Sequence, residues 1–268
     1  FVHAGAALSE ADKEKLKKLN EEASKLEDEF SRGLLQATKN AAYTTADRSA
    51  LAGLGDAQLA AASRAAAGRK VEGYVIPLQN TTQQPDLTEL TNRDTRHALF
   101  EKSWTRAEQP GDDLRPVVAR LAQLRAQKAK LLGFPNYAAW VLQNQMAKTP
   151  AAVLHFLNEL IPPATAKAKG EGQEIQALID QQQGGFTLEP WDWNFYGEQV
   201  RKEKYDLDEN EIKPYFELNS VLENGVFYAA NQLYGIPFKE RRDLPVYQKD
   251  VRVFEVFDKD GSAIGLFY

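Results

Sequence analysis

The 268-residue chain contains no cysteine. A disulfide framework, a thiolate metal site and a cysteine nucleophile are thereby excluded together. The redox compartment stays open, because a cysteine-free chain tolerates either environment. Histidine is nearly as scarce, with three residues, and no His-Glu-x-x-His or Gly-x-Ser-x-Gly string occurs. No apolar run approaches the roughly 18 residues that a membrane span needs. Residues 1–5 lack the basic region and long apolar stretch of a signal peptide, so the expected compartment is the cytoplasm, with the periplasm as the alternative. Basic side chains are outnumbered, 33 against 38, for a net charge of −5. That balance carries no electrostatic footprint for nucleic acid. What is present is apolar: 43% hydrophobic and 10% aromatic residues are enough for a real core and argue against a disordered chain.

The stretch from Asp112 to Pro163 has the clearest punctuation. Asp112 or Asp113 suits a helix cap, and Pro116 falls in the first turn, where a missing N–H costs little. Leu114, Val117, Val118, Leu121 and Leu124 recur at helical spacing, and Leu131 and Leu132 close the stripe before Gly133 and Pro135 stop it. Asn136 caps a second helix carrying Tyr137, Trp140 and Val141. Thr149-Pro150 opens a third, whose expected buried face is Leu154, Leu157, Leu160 and Ile161, with Pro162-Pro163 kinking or ending it. Upstream, Ser9 with Asp12 resembles a capping box at the head of a helix reaching about Asn40. Its seam of Leu16, Leu19, Ala23, Leu26, Phe30 and Ala37 suits a helical hairpin better than a coiled coil, since it lasts barely three heptads.

Between these lie an alanine-rich helix capped by Asp56 and ended by Gly68, and a strand within residues 71–78. A polar loop over 80–85 holds a chance glycosylation sequon at Asn80. A helix over 93–108 follows, with Leu99, Phe100 and Trp104 inward. Past Pro163, Ile175, Leu178 and Ile179 are sparse anchors. Helices are expected over 192–204 and 219–233. The last 20 residues switch to period two and form a hairpin around Asp258-Lys259-Asp260-Gly261. The fold class read from this pattern is mainly α, a multi-helix bundle with a small β hairpin at the C-terminal end.

Candidate chemistry is thin. His97 with Glu101, and His155 with Glu159, each place imidazole and carboxylate on one helix face, half of a zinc site. No third ligand has the right spacing, and a helix-surface or core histidine with a carboxylate neighbour is the better explanation of each pair. Gly53-Leu54-Gly55 lacks the third glycine and preceding strand of a dinucleotide site and reads as a loop. Glu189 and Asp192 among aromatic residues suit either a sugar- or peptide-binding wall or ordinary packing with Asp192 as a helix cap. The hairpin edge suits an extended peptide or a further strand of the same chain.

The strings at residues 73–85 (GYVIPLQNTTQQP), 131–137 (LLGFPNY) and 146–150 (MAKTP) closely resemble the bacterial peptidyl-dipeptidases of the thimet oligopeptidase family of zinc peptidases. Residues 190–193, 233–236 and 250–268 fit the same family, so the likeness runs through nearly the whole chain. The resemblance implies a mostly helical fold split by a deep channel with zinc at its floor. It also implies an oligopeptide substrate that loses C-terminal dipeptides, and neither nucleic acid nor membrane as partner. Family members hold zinc through His-Glu-x-x-His and a later glutamate, and the motif glutamate activates the attacking water. By resemblance those residues lie beyond Tyr268, in a missing catalytic portion that is itself an expected partner. No catalytic or metal residue is therefore assigned, and the chain alone is expected to hold no zinc and to be inactive. The expected organisation is one helical portion of a larger peptidase. It divides into a long-helix and small-sheet part over 1–110, a helical core over 111–240 and the hairpin over 241–268. The implied substrate-channel positions are Gly265, Phe267 and Tyr268 on the hairpin, with Trp191 and Tyr196 as further wall positions. A non-enzymatic helical interaction module, using the Leu16 to Ala37 seam as its surface, is the rival reading.

Overall fold

The structure, a computed structural model, describes residues 1–79, 84–206 and 209–268. The Asn80 sequon and most of the polar loop lie outside those residues. Two compact units divide the chain, Phe1–Lys204 and Tyr205–Tyr268. No described helix is long and apolar enough to cross a membrane.

The first unit runs α1 (Glu10–Asn40), β1 (Tyr43–Thr45), α2 (Asp56–Arg69), β2 (Tyr74–Ile76), α3 (Arg93–Trp104), α4 (Arg115–Leu131), α5 (Tyr137–Val141), α6 (Pro150–Gln181) and α7 (Trp193–Tyr205), the last ending at the unit boundary. Ser9 starts α1 as its sequence foretold: its hydroxyl oxygen accepts from the Asp12 N–H at 3.2 Å and its O–H donates to the Asp12 carboxylate at 2.9 Å. The α1 seam then lies along α4 as an antiparallel hairpin. Leu114, Val117 and Leu121 bury against Ala23, Leu26, Phe30 and Leu34. Gly33 permits the approach, since a Cβ there would stand 2.7 Å from a Leu114 methyl. Polar pairs flank the seam, Arg120 with Glu22 at 2.6 Å and Lys128 with Asn20 at 2.8 Å. The surface required by the interaction-module reading is thus occupied by α4 of the same chain.

A second core gathers Leu51, Leu54, Ile76, Leu78, Leu87, Leu90 and Leu99 beneath the antiparallel β1–β2 pair. A third gathers Ile175 and Ile179 of α6 with Tyr196 of α7.

Several expectations need correction. Val118 and Trp104 are 50% and 58% exposed. Val118 sits at the rim of α4's buried stripe, roughly 80° from its centre at 100° per residue, and Trp104, the last residue of α3, lies roughly 125° from the centre of Thr95, Arg96, Leu99 and Ser103, so periodicity placed both too far inward. The α2 cap is Gly55, not Asp56, and the helix ends through Lys70 in the left-handed region at φ 58°, one residue past Arg69 and two past Gly68. Helix α3 stops at Trp104 rather than at 108.

The largest correction is α6. Thr149 caps it as expected, but it continues through Pro162 and Pro163 for 32 residues. The carbonyls deprived of donors are those of Asn158 and Glu159, four residues back. Both residues are exposed, so water can satisfy them. The alanines and lysines that follow favour helix. Its upstream apolar residues, Leu154, Leu157, Leu160 and Ile161, are 41–59% exposed, not buried.

The second unit holds α8 (Glu209–Ile212), α9 (Leu218–Ser220), a π-helical stretch (Val221–Phe227), α10 (Tyr228–Tyr234) and three strands, β3 (Phe238–Arg241), β4 (Val253–Phe257) and β5 (Ala263–Phe267). The helical run expected over 219–233 therefore contains a π segment, and Gly235 closes it at φ 71°. The hairpin is joined by a third strand that the sequence did not announce, giving an antiparallel sheet in the order β3-β4-β5.

Candidate functional site

Strand β5 is shaped by its turn. Gly261 adopts φ 84°, the Asp258 N–H donates to the Ser262 carbonyl at 2.8 Å, and the Ser262 N–H donates to the Asp260 carboxylate at 2.9 Å. The returning strand pairs Gly265 with Val256 and Phe267 with Phe254, with a register shift between Val256 and Phe257. As the last strand of its sheet, β5 leaves one row of N–H and C=O groups without a sheet partner, and all five of its residues are exposed. A Cβ on Gly265 would meet nothing within 4 Å. The backbone there is open to close approach by another chain. An edge of this kind pairs with an extended peptide through main-chain hydrogen bonds.

Below the strand lies an aromatic cluster. Phe227 of the π segment stacks on Phe238 at 4.0 Å and meets Phe254 and Phe267 edge-on at 4.7 and 5.9 Å. Phe267 is thus held from beneath, and Tyr268 follows it, 48% exposed. Beside the cluster opens a cleft of about 680 Å³ bordered by Glu223, Tyr228, Glu240 and Arg252 among others. Arg252 donates to Glu240 at 2.9 Å and to Asn219 at 2.8 Å, pairs with Glu223 at 2.8 Å, and lies over the Phe254 ring. Its hydrogen bond holds the Glu240 carboxyl below its ordinary range. On the strands' other side Arg241 bridges Glu255 and Asp243. The Asp243 carboxyl is drawn down to about 2, chiefly by the Arg241 hydrogen bond. None of these ion pairs was legible from spacing.

Trp191 and Tyr196 belong to the first unit. Tyr196 is buried among Ile175, Ile179, Phe186 and Phe195. Trp191 lies against His97 at 4.0 Å and Phe100 at 6.1 Å, and its indole N–H is buried without an acceptor among the described residues. Between them, Asp192 is fully buried and is neither a wall nor a simple cap. It accepts from Arg93 Nη2 at 2.8 Å and Nε at 3.1 Å, and from Arg96 Nη2 at 2.9 Å. The Arg93 guanidinium also lies over Phe186, and that of Arg96 over Phe195. The available signal was two arginines three apart at the start of α3, which share one helix face.

Of the histidine pairs, His97 stands 3.8 Å from Glu101 and His155 3.5 Å from Glu159, all four side chains half-exposed or more. Among the described residues no group of three His, Cys, Asp or Glu could hold a metal ion. The described residues do not fit a catalytic zinc.

A family model described as Peptidase family M3 matches residues 86–268. The chain is 53% identical over 270 residues to the dipeptidyl carboxypeptidase of Escherichia coli (strain K12), and 53% identical over 271 residues to that of Salmonella typhimurium. It is 32% identical over 273 residues to oligopeptidase A of Escherichia coli. Each alignment covers 100% of this chain and 40% of the relative, so the chain spans 40% of the length of these relatives. With well over half of its residues under the family model, the chain belongs to peptidase family M3.

Proposed function

We propose that this chain is part of a zinc-dependent peptidase that releases dipeptides from the C-terminus of oligopeptides. The observation that carries the reading is 53% identity, over the whole chain, to two proteins named dipeptidyl carboxypeptidase, against 32% to oligopeptidase A. Zinc and the groups that polarise the peptide carbonyl belong to the remainder of the parent polypeptide. The role of this portion is to hold substrate. An extended peptide lies along β5, with its backbone passing closest at Gly265, while Phe267 and Tyr268 line its path. Trp191 and Tyr196 are the further wall positions of this reading, with Tyr196 acting through the packing that it anchors.

The test compares the full-length parent with the 268-residue chain on an N-terminally blocked oligopeptide, each with added zinc. Dipeptide release by the parent alone is expected, and blocking the substrate's C-terminus as an amide should suppress it. Metal-dependent dipeptide release by the 268-residue chain alone would overturn the assignment of roles. In the parent, Gly265→Val should raise KM several-fold with little change in kcat. An unchanged KM would remove β5 from the substrate path.

A further inference from the structure

The downstream half of α6 is packed, with Ile175 and Ile179 buried against Tyr196. The upstream half is not. Leu154, Phe156, Leu157, Leu160 and Ile161 are 59, 63, 41, 50 and 56% exposed. At 100° per residue they fall within an arc of about 160°, one continuous apolar face. His155, Asn158, Glu159 and the two prolines lie outside that arc. Scattered exposed leucines need no explanation, but five large apolar side chains on one face of little more than two turns do.

The same segment is poorly equipped to stand alone. Pro162 and Pro163 remove two consecutive intrahelical hydrogen bonds, at about 3 kcal/mol for each proline. A helix of this length without tertiary packing is marginal in water even without them. Its stability must come from a surface laid against the apolar face.

We propose that this face, Leu154 to Ile161, is the docking surface for the part of the parent polypeptide that lies outside this chain. The inference rests on the reading of the chain as a portion of a longer M3 peptidase. Two relatives at 53% identity align with the whole of this sequence over 40% of their length, so a covalently attached partner about one and a half times its size accompanies the face. Area argues against a second copy as the occupant. The five side chains expose roughly 500 Å² together, below the approximately 800 Å² per partner of a standard intermolecular interface. An attached segment needs less, because tethering raises its effective concentration. The occupant is accordingly an apolar element of the parent that meets α6 across its upstream four turns.

The absence of cysteine gives a direct test. Leu157→Cys and Leu160→Cys are made singly, with Glu159→Cys as the control on the polar side. Each is made in both the 268-residue chain and the full-length parent, and thiol alkylation is followed on the peptide containing the new residue. All three positions should label fast in the 268-residue chain. In the full-length parent, labelling at 157 and 160 should slow at least tenfold while 159 stays fast. Equal rates at all positions in the parent would overturn the proposal. So would protection of 157 and 160 in the 268-residue chain that grows with its concentration, which would make a second copy the occupant. Protection does not require turnover, so a parent that is protected but lacks peptidase activity would refute the functional reading and leave the docking surface standing.

Discussion

Replacing Asp192 by asparagine keeps the shape of the side chain and removes its charge. In the wild-type chain Asp192 is 0% and Arg96 1% exposed. Without the carboxylate, Arg96 retains the carbonyls of Leu90 and Thr91, at 2.9 and 3.1 Å, and the face of Phe195. These are partial compensation for a guanidinium charge left inside the protein. Removing one partner of a buried ion pair costs about 3–5 kcal/mol. For a unit of this size each kcal/mol moves the melting temperature by about 2–4 °C. Asp192→Asn should therefore lower Tm by about 6–20 °C, with the retained contacts favouring the lower half. The effect has a pH signature. Burial by itself raises the Asp192 pKa, but the hydrogen bonds and charges of Arg93 and Arg96 outweigh it and hold the carboxyl below its ordinary 3.8. A folded pKa depressed in this way gives stability that is complete above the unfolded value and is lost as pH falls through the folded one. The gap between wild type and variant should be constant from about pH 5 to 8 and should start to narrow below about pH 4. Thermal unfolding followed by circular dichroism at pH 7, 5 and 3 measures it. A Tm within 2 °C of wild type at pH 7, or a gap no narrower at pH 3 than at pH 7, would refute the reasoning. As a cross-check, Asp192→Leu combined with Arg96→Met should cost less than the two single changes added together, because the buried Arg96 charge leaves with its partner and the remaining Arg93 is 35% exposed.

The loop glycine Gly53 adopts φ 98°, and a Cβ there would stand 2.0 Å from the Glu89 carbonyl oxygen. Gly53→Ala should cost at least about 2 kcal/mol, whereas Gly68→Ala, at an open site inside α2, should gain about 0.5–1 kcal/mol in the same denaturant titration. The Asp243 carboxyl should titrate near pH 2 by carbon NMR, and Arg241→Ala should return it towards 3.8. Its depressed value means that the contact to Arg241 persists down to about pH 3 and is lost below it. Finally, Val253 and Phe254 are the only fully buried hydrophobic residues among those described from 205 to 268. A peptide of residues 205–268 should therefore give an unfolded circular dichroism spectrum, while residues 1–204 should retain cooperative melting.

Local chemistry was legible where one residue decides the outcome. Ser9, Asn136 and Thr149 each cap the helix they announced, because a side-chain oxygen within reach of a free N–H needs no distant partner. Gly133 and Gly261 adopt positive φ for the same local reason. The α1 seam named its own buried face, since α4 carries a matching stripe in the same chain. Strand β3 escaped notice because Lys239, Glu240 and Arg241 read as polar loop. Their place in the sheet depends on Glu255 and Arg252, 14 and 12 residues or so downstream. The arginine clasp around Asp192 joins residues 96 and 99 apart, beyond the reach of any spacing rule. The channel positions came from resemblance alone, since nothing in Gly265 or Tyr268 by itself speaks of a substrate.

The misread face of α6 belongs to a different class from the misread rim at Val118. At a rim the period is right and the angular width is wrong, an error of one residue. In α6 both period and width were right: Leu154, Leu157, Leu160 and Ile161 do share one face. Amphipathic spacing states that a helix face is to be covered and is silent about which polypeptide covers it. Helix α4 finds its cover 80 to 100 residues upstream, so inference from period to burial succeeds there. Upstream α6 finds none among the described residues of its unit, and the same inference fails on equally good spacing. The proline pair sharpens the contrast, because a segment that gives up two hydrogen bonds has the greater need of packing. In a chain spanning 40% of its relatives, a strong apolar period with no partner among the described residues is the observation on which the proposed contact with the rest of a parent polypeptide rests.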